Sequence, residues 1–240
     1  MMGSHAADGY LRFIGGQWAL PPHEGGPGAR PRGSVVTISR EAGAGSAPVA
    51  EAVAARMRRE TPEGTPPWTI FDKNLVEQVL ADHELPAELA AAMPEDRRSE
   101  MADTLDGLFG LRPSSWTLVR KTASTILHLA EIGNVIVIGR GGNLITANLE
   151  NAFHVRLVGS LQRRIEHLVE ARHLTLEEAT AYAHREDLGR RRYVKKYYGA
   201  DIDDPMLYDL VINTDRVAYD EAGRLIADAL DARRPLGAVR

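Results

Sequence analysis

The chain has 240 residues, of which 44% are hydrophobic and 26% charged, and its formal net charge is -4. This length and composition suit a globular protein of one large or two small domains, and the slight negative charge argues against a surface built to grip nucleic acid or anionic lipid. The absence of cysteine excludes disulfides, thiolate metal sites and cysteine nucleophiles, and no apolar run approaches the roughly 20 residues that span a bilayer.

The first 33 residues are predicted to form a flexible N-terminal arm, because glycine and proline recur between Gly25 and Gly33 and interrupt any regular element. The arm lacks the basic, apolar and small-residue regions of a signal peptide, so the expected location is cytoplasmic. Residues 34–232 are predicted to form one domain, and residues 233–240 a C-terminal tail.

Strands and helices alternate along the predicted domain. Hydrophobic periodicity predicts strands at Val35–Ser39 and Trp68–Phe71, separated by a helix over Ser46–Glu60. A further helix is expected to begin with Asp72 as its cap, and short helices are expected over Glu84–Pro113.

The second half of the chain continues the same alternation. The predicted elements in chain order are a helix over Ser114–Ile132, a buried strand in "NVIVIG", a strand in "AFHVRLV", a helix over Leu161–Arg172, a helix from Leu176 onwards, a strand in "YDLVINT" and a helix over Val217–Ala232. Such alternation predicts an α/β protein with a parallel, doubly wound sheet, in which ligands bind beyond the carboxyl ends of the strands.

Charged and polar residues gather just beyond these strand ends. They are Ser39-Arg40-Glu41, Asp72, Gly139-Arg140-Gly141 and Asn213-Thr214-Asp215. Arg140 stands between glycines at the end of a buried strand, which favours a binding role over that of a surface cation at a turn. Asp72 is explained equally well as a helix cap.

The turn "REAGAGSA" after the first strand is typical of an anion site, because it directs main-chain amides towards the start of a helix. Gly43 and Gly45 let the backbone approach phosphate oxygens closely. A full phosphate loop reads G-x-x-x-x-G-K-[ST]. Here Arg40 replaces the first glycine, Ser46 the lysine and Ala47 the hydroxyl residue, so the motif alone predicts only a strand, a turn and a helix.

The order of five segments resembles the cytidylate kinase-like family, a divergent branch of the nucleoside monophosphate kinases. These segments are "TISREAGAGSAPVA", "FDKNLVEQVL", "VIVIGRGGN", "FHVRLVGSLQRRIEHL" and "DPMLYDLVINTDR", which lie in register from Val35 to Leu230. Members of that branch commonly show an "SRE-x-G-x-G" loop without the lysine. The resemblance implies a P-loop kinase-like three-layer α/β/α fold with a five-stranded parallel sheet. It also implies a monophosphate-binding insertion at about residues 73–113 and a helical lid at about 184–204.

The resemblance further implies a phosphotransferase that uses ATP and Mg²⁺ and phosphorylates (d)CMP or a related monophosphate. The residues implied for the donor are Gly43, Ala44, Gly45, Ser46 and Ala47. Those implied for the acceptor are Asp72, Arg120, Arg140 and Asp187, and those for the transferring group are Arg40, Arg185, Arg190 and Arg192. Arg120 precedes Arg140 by twenty positions, as in cytidylate kinases, whereas Gly141 stands where their "GRD" motif has aspartate.

Two lid spacings of the family occur here, but in different registers. Arg185 and Arg192 are seven apart, and Asp187 lies three before Arg190. The segment "HREDLGRRRYVKKYYG" also fits a solvated helix face with ion pairs, or a nucleic-acid-binding helix in which cations alternate with stacking aromatics. The lid interpretation is preferred for its position before "DDPMLYDLVINT", which leaves nucleotides as the expected partners.

The Mg²⁺ ligands are the weakest part of the resemblance, since Ala47 and Gly141 offer no side-chain oxygen. Ser39, Glu41, Ser46 and Asp72 remain as candidates, with phosphates and water completing the coordination. The loss of the lysine leaves a second interpretation open, namely a nucleotide- or phosphate-binding regulatory module without useful turnover.

Overall fold

The computed structural model describes residues 33–61, 65–72 and 115–233. The predicted monophosphate-binding insertion, with the helices expected there, lies outside the described residues. So do nearly all of the predicted N-terminal arm and the tail after Arg233.

Five parallel strands form one sheet in the described residues. They are β1 (Val35–Arg40), β2 (Thr69–Phe71), β3 (Val135–Ile138), β4 (Ala152–Val158) and β5 (Leu210–Asn213). Their order across the sheet is β2-β3-β1-β4-β5, and every pair is parallel. The predicted parallel five-stranded sheet is therefore confirmed.

Six α-helices surround this sheet within the same ranges. They are α1 (Ser46–Glu60), α2 (Ser115–Ile132), α3 (Gly142–Ile145), α4 (Leu161–Arg172), α5 (Leu176–Tyr198) and α6 (Tyr219–Ala232), with a 3-10 turn at Pro205–Leu207. The short α3 was not predicted, because four residues are too few to show a helical period. No helix in the described parts of the chain is long and apolar enough to cross a membrane.

The core follows from the side-chain alternation of the central strands. Val36 and Ile38 of β1 pack with α1 and α6 on one face of the sheet. Val35 of β1 packs on the other face with Ile126 and Leu129 of α2. Because β1 and β3 are covered on both faces, they are buried along almost their whole length, as parallel strands usually are. The result is the three-layer α/β/α arrangement that was predicted.

A third apolar cluster lies outside these layers and packs together the two long helices of the β4–β5 connection, α4 and α5. Ile165 and Leu168 of α4 pack against Ala179 and Ala183 of α5, and Ala42 of the β1–α1 turn joins them. The arrangement brings α5 against the carboxyl ends of the strands. β1 is the central strand, with β2 and β3 on one side of it and β4 and β5 on the other, so the strand order reverses there. Doubly wound proteins bind ligands in the crevice at the carboxyl ends of the strands beside such a reversal.

Candidate functional site

The β1–α1 turn is held so tightly that two of its residues must be glycine. Gly43 and Gly45 have φ angles of 83° and 79°, which side chains rarely adopt. A Cβ atom on Gly43 would also overlap the carbonyl oxygen of Arg164, and one on Gly45 would overlap the ring of Tyr219. The backbone therefore has little freedom to change its path between β1 and α1.

The amino end of α1 is unlike that of α4 or α5. Ser160 caps α4, and Thr175 forms a capping box at the start of α5, but α1 begins after the left-handed Gly45 without a side-chain cap. Ser46 is half-buried and Ala47 is exposed in its first turn. Uncapped amides and the helix dipole make this end suited to an anion. The predicted donor residues, Gly43 to Ala47, form this turn and helix start.

A buried ion-pair network holds the turn from the side of α4 and α5. The Arg164 guanidinium donates from Nη1 to Asp187 Oδ2 at 2.7 Å and to the Ala42 carbonyl at 3.0 Å. Asp187 Oδ1 accepts the Ala42 amide at 2.7 Å. Glu41 lies 3.4 Å from Arg164 Nε and accepts the Gly159 amide at 3.0 Å. Both oxygens of Asp187, predicted as an acceptor-binding residue, are thus engaged in fixing the turn.

A cleft of about 370 Å³ opens between the ends of β1 and β3 and the inner face of α5. Its described lining comprises Thr37, Ile38, Ser39, Arg40, Gly139, Arg140, Gly141, Asn143, Arg190, Tyr193, Val194 and Ile202. Three of these carry guanidinium groups and none carries a carboxylate. The cleft thereby has the electrostatic character of an anion site.

The three arginines reach the cleft from different elements. Arg40 ends β1, and its guanidinium lies over Gly139, where a Cβ atom would overlap it. Arg140 follows β3 in the left-handed region, with φ 57°, which is uncommon for a residue other than glycine. Arg190 is 9% exposed on the inner face of α5 and lies 3.4 Å from Asp187 and 3.5 Å from Glu186.

A smaller cavity of about 180 Å³ shares Arg40 and Arg190 with the cleft. Behind it, the buried Arg156 of β4 donates to Ser39 Oγ at 2.9 Å and to Asp203 Oδ1 at 2.5 Å. Arg191 donates to the other Asp203 oxygen at 2.8 Å. Burial acts to raise the pKa of Asp203, but these two guanidiniums outweigh it and hold that pKa below its ordinary value. One carboxylate therefore joins α5 to the sheet.

Three tyrosines pack together at the carboxyl end of α5, and one of them, Tyr193, lines the cleft. The Tyr193 ring lies 5.1 Å from that of Tyr197 and 6.0 Å from that of Tyr198. Tyr198 packs on Gly141, where a Cβ atom would lie 2.6 Å from its ring, and its hydroxyl lies 3.5 Å from the Arg140 carbonyl. Burial raises the pKa of both Tyr193 and Tyr198, so both hydroxyls stay protonated.

Nine residues predicted for the site line neither cavity among the described residues. Five of them, Gly43 to Ala47, form the β1–α1 turn and the start of α1. Arg185 and Arg192 lie on the exposed face of α5, where Arg185 stacks over the Tyr182 ring. Arg120 is exposed on α2, and Asp72 follows the end of β2. Of the two lid spacings, only the one that includes Asp187 and Arg190 is turned towards the sheet.

Sequence reasoning missed several residues around the turn and the cleft, although one left a signal. Arg164 shares the apolar stripe of α4 with Ile165 and Leu168, and a charge on such a stripe indicates a buried ion pair. Tyr219 and His167 gave no such signal. Their rings lie 5.2 Å apart, and His167 Nδ1 lies 2.8 Å from the Gly43 carbonyl.

The oxygens considered for Mg²⁺ are only partly available. Ser39 and Glu41 accept protein hydrogen bonds, from Arg156 and from the Gly159 amide. Ser46 and Asp72 are the other two oxygen donors considered. No group of three histidine or acidic side chains suited to a metal occurs in the described ranges. This donor set fits an ion that is held mainly by phosphates and water, as Mg²⁺ commonly is.

Comparison with known proteins places these features in a family. The family model described as the cytidylate kinase-like family matches residues 35–216. The cytidylate kinase of Methanothrix thermoacetophila is 39% identical over 110 residues, which are 45% of this chain and 59% of that protein. The cytidylate kinase of Pyrococcus horikoshii is 30% identical over 112 residues, which are 46% of this chain and 57% of that protein.

These matches thus span less than two thirds of the curated relatives. Among solved structures, an uncharacterized protein from Eubacterium ventriosum has a TM-score of 0.60 at 19% identity, over 83% of this chain and 99% of that one, which supports the fold alone. The family model covers most of the described domain, including the β1–α1 turn, the β3 turn and α5. The chain therefore belongs to the cytidylate kinase-like family.

Proposed function

We propose that this protein is a nucleoside monophosphate kinase that transfers the γ-phosphoryl group of ATP to (d)CMP or a related monophosphate. The supporting observation is a juxtaposition at one edge of the sheet. A glycine-containing turn and the uncapped start of α1 lie beside a cleft into which Arg40, Arg140 and Arg190 converge. The location that we propose for this reaction is the cytoplasm.

Phosphoryl transfer asks a protein mainly to position two nucleotides and to neutralise the charge on the moving group. In the proposed complex, the amides of Gly43 to Ala47 bind the donor phosphates, because they lie at the positive end of α1. Arg140 binds the acceptor phosphate from the β3 turn. Arginine suits both tasks, since its planar fork binds two phosphate oxygens and stays charged.

The proposal requires other cations to supply the positive charge of the missing lysine. Arg40 and Arg190 are the cations shared by the cleft and the smaller cavity, so they are the proposed replacements for its charge. Mg²⁺ on the donor phosphates supplies further neutralisation when bound, and Ser46 and Asp72 are the side-chain oxygens that would hold it. Arg120 remains a proposed acceptor ligand on the strength of the family resemblance.

A panel of nucleoside monophosphates with ATP and Mg²⁺, read by coupled ADP release, tests the proposal. We expect turnover with cytidine monophosphates, and a large loss of kcat/KM for the acceptor in Arg140→Ala. The second candidate, a nucleotide-binding module without turnover, is favoured by the replacement of the lysine and the hydroxyl residue by Ser46 and Ala47. Measurable nucleotide binding without turnover for any acceptor would establish that module instead.

A further inference from the structure

One buried polar atom in the cleft is not satisfied by the protein. The Tyr193 hydroxyl is buried and has no hydrogen-bond partner within the described structure. The Tyr198 hydroxyl is near enough to help raise the pKa of Tyr193, but the two hydroxyls do not form a hydrogen bond of standard geometry. A buried hydroxyl without a partner costs stability, and native proteins rarely keep one without a reason.

The surroundings of this hydroxyl indicate which kind of partner would satisfy it. Tyr193 lines the cleft together with Arg40, Arg140 and Arg190, and burial keeps its hydroxyl protonated. Guanidinium groups only donate hydrogen bonds, so they offer the hydroxyl no acceptor to which it could donate. An anion with several oxygens, such as a phosphate group, accepts from a hydroxyl and from a guanidinium at the same time, and is therefore the partner that suits this position.

The position of Tyr193 is fixed by its neighbours. Its ring packs against Tyr197 and Tyr198, and Tyr198 in turn rests on Gly141 of the β3 turn. Residues 190, 193 and 194 share the inner face of α5, at helical spacings of three and four. Tyr193 is therefore positioned in the wall of the cleft by α5, whereas Arg140 is positioned there by the end of β3.

We infer that Tyr193 is a substrate-binding residue whose hydroxyl donates to the acceptor phosphate, so that this phosphate joins α5 to the β3 turn. The inference rests on the proposed function, and it adds a phosphate-binding residue to the arginines that the family resemblance implies. Binding of the acceptor, rather than of ATP, then adds a further link between α5 and the sheet.

Tyr193→Phe removes this hydroxyl and keeps the ring. Tyr182→Phe is the matched control, because Tyr182 is a half-buried tyrosine of the same helix that stacks with Arg172 and Arg185 away from the cleft. We expect Tyr193→Phe to weaken CMP binding by about 10- to 100-fold, as expected for a hydrogen bond to a charged group, and to raise the KM for the acceptor but not for ATP. Without ligand, its Tm should equal or exceed that of the parent, since an unsatisfied buried group is lost.

The other outcomes separate the two proposals. If Tyr193→Phe binds CMP as tightly as the parent, or if its ligand-free Tm falls well below that of Tyr182→Phe, the hydroxyl has a solvated or structural role and the inference is wrong. If the parent binds inorganic phosphate but neither binds nor phosphorylates any nucleoside monophosphate, the proposed kinase function fails. In that case the affinities for inorganic phosphate test the inference: Tyr193→Phe should bind phosphate more weakly than Tyr182→Phe does. If the parent binds neither ligand, both proposals are wrong.

Discussion

Two groups of arginines lie at the same edge of the sheet in opposite environments. Arg164 and Arg156 are buried, and each is bonded to a carboxylate, Asp187 at 2.7 Å and Asp203 at 2.5 Å. Arg40 and Arg140 are half-buried and line a cleft whose described wall contains no carboxylate. The first group holds backbone segments together, and the second presents charge to a space that can admit a ligand.

This difference shows that the number of arginines near a phosphate-binding turn is a poor guide to function. A buried guanidinium is tolerated only when carboxylates and carbonyls satisfy it, and removing one partner leaves a costly charge behind. A guanidinium that lines a cleft is only partly enclosed by protein, so a ligand can reach it. Loss of a residue in the first group should therefore reduce folding stability, whereas loss in the second should reduce binding.

The largest effect is expected for Arg164→Met. The substitution removes the Arg164 cation from Glu41 and leaves Asp187 with Arg190 as its remaining buried cation. The free energy of unfolding should therefore fall by about 3–5 kcal/mol, measured by urea denaturation. Arg163→Met is the control, because Arg163 is 71% exposed and pairs with the neighbouring Glu166. It should change stability by less than about 1 kcal/mol.

A second variant tests whether the effect of Arg164→Met is electrostatic. Arg164→Met combined with Asp187→Leu removes both charges, and it should recover part of the stability that the single substitution loses. If Arg164→Met is no more destabilising than Arg163→Met, the buried network does not hold the turn, and the two groups of arginines do not differ in kind.

Arg140→Ala should show the reverse pattern. We expect kcat/KM for the acceptor to fall by about 100- to 1,000-fold, the usual cost of losing a preorganised hydrogen-bond donor in an active site. Stability should change by less than about 1 kcal/mol, because the side chain is only half-buried. Arg224→Ala, which removes an exposed arginine paired with Glu221 on α6, controls for net charge. A loss of stability without a loss of binding would move Arg140 into the first group.

Alanine substitutions at two glycines with nearly the same φ angle separate the effect of α5 packing from that of backbone strain. Gly141 and Gly199 have φ angles of 69° and 70°, but only at Gly141 would a Cβ atom meet a neighbour, the Tyr198 ring at 2.6 Å. Gly199→Ala should cost about 1–2 kcal/mol through backbone strain alone. Gly141→Ala should lower the free energy of unfolding by more than Gly199→Ala does. The additional loss should become smaller when Tyr198 is also changed to alanine. Equal costs in thermal denaturation would show that Tyr198 does not rest on this turn.

Most of the fold was predictable because its elements have unambiguous periods. The bounds of β4 and α4 agree with the sequence prediction, since each has a clear pattern and a cap or turn beside it. The predicted start of the last helix, Val217, was two residues early. Its amide bonds to the Asn213 carbonyl in a turn, and α6 begins at Tyr219.

The site was less predictable, because its contacts join segments that are distant in sequence. The glycines around Arg140 indicated a turn at a strand end, and the structure lines the cleft with that turn. The seven-residue spacing of Arg185 and Arg192 does place both on one face of α5. That face is exposed, because Ala183 and Val194 direct the opposite face towards the sheet. The contact of Asp187 with Arg164 depends on how α4 packs on α5, which no local pattern contains.

The smallest predicted effect concerns Asp203, whose environment combines features of the two groups. Its carboxylate joins Arg156 to Arg191 but is 42% exposed. Because its pKa is lowered in the folded protein, the contribution of Asp203 to stability is complete above its unfolded pKa of about 4 and is lost as the pH falls through the folded value. Asp203→Asn should therefore be less stable than the parent at pH 7, and the difference should shrink below about pH 4. Urea denaturation across this range measures it, with the exposed Asp220→Asn as the control for net charge. A difference that stays constant down to pH 2 would mean that the guanidiniums do not act through the Asp203 charge, and that α5 is held to the sheet by packing alone.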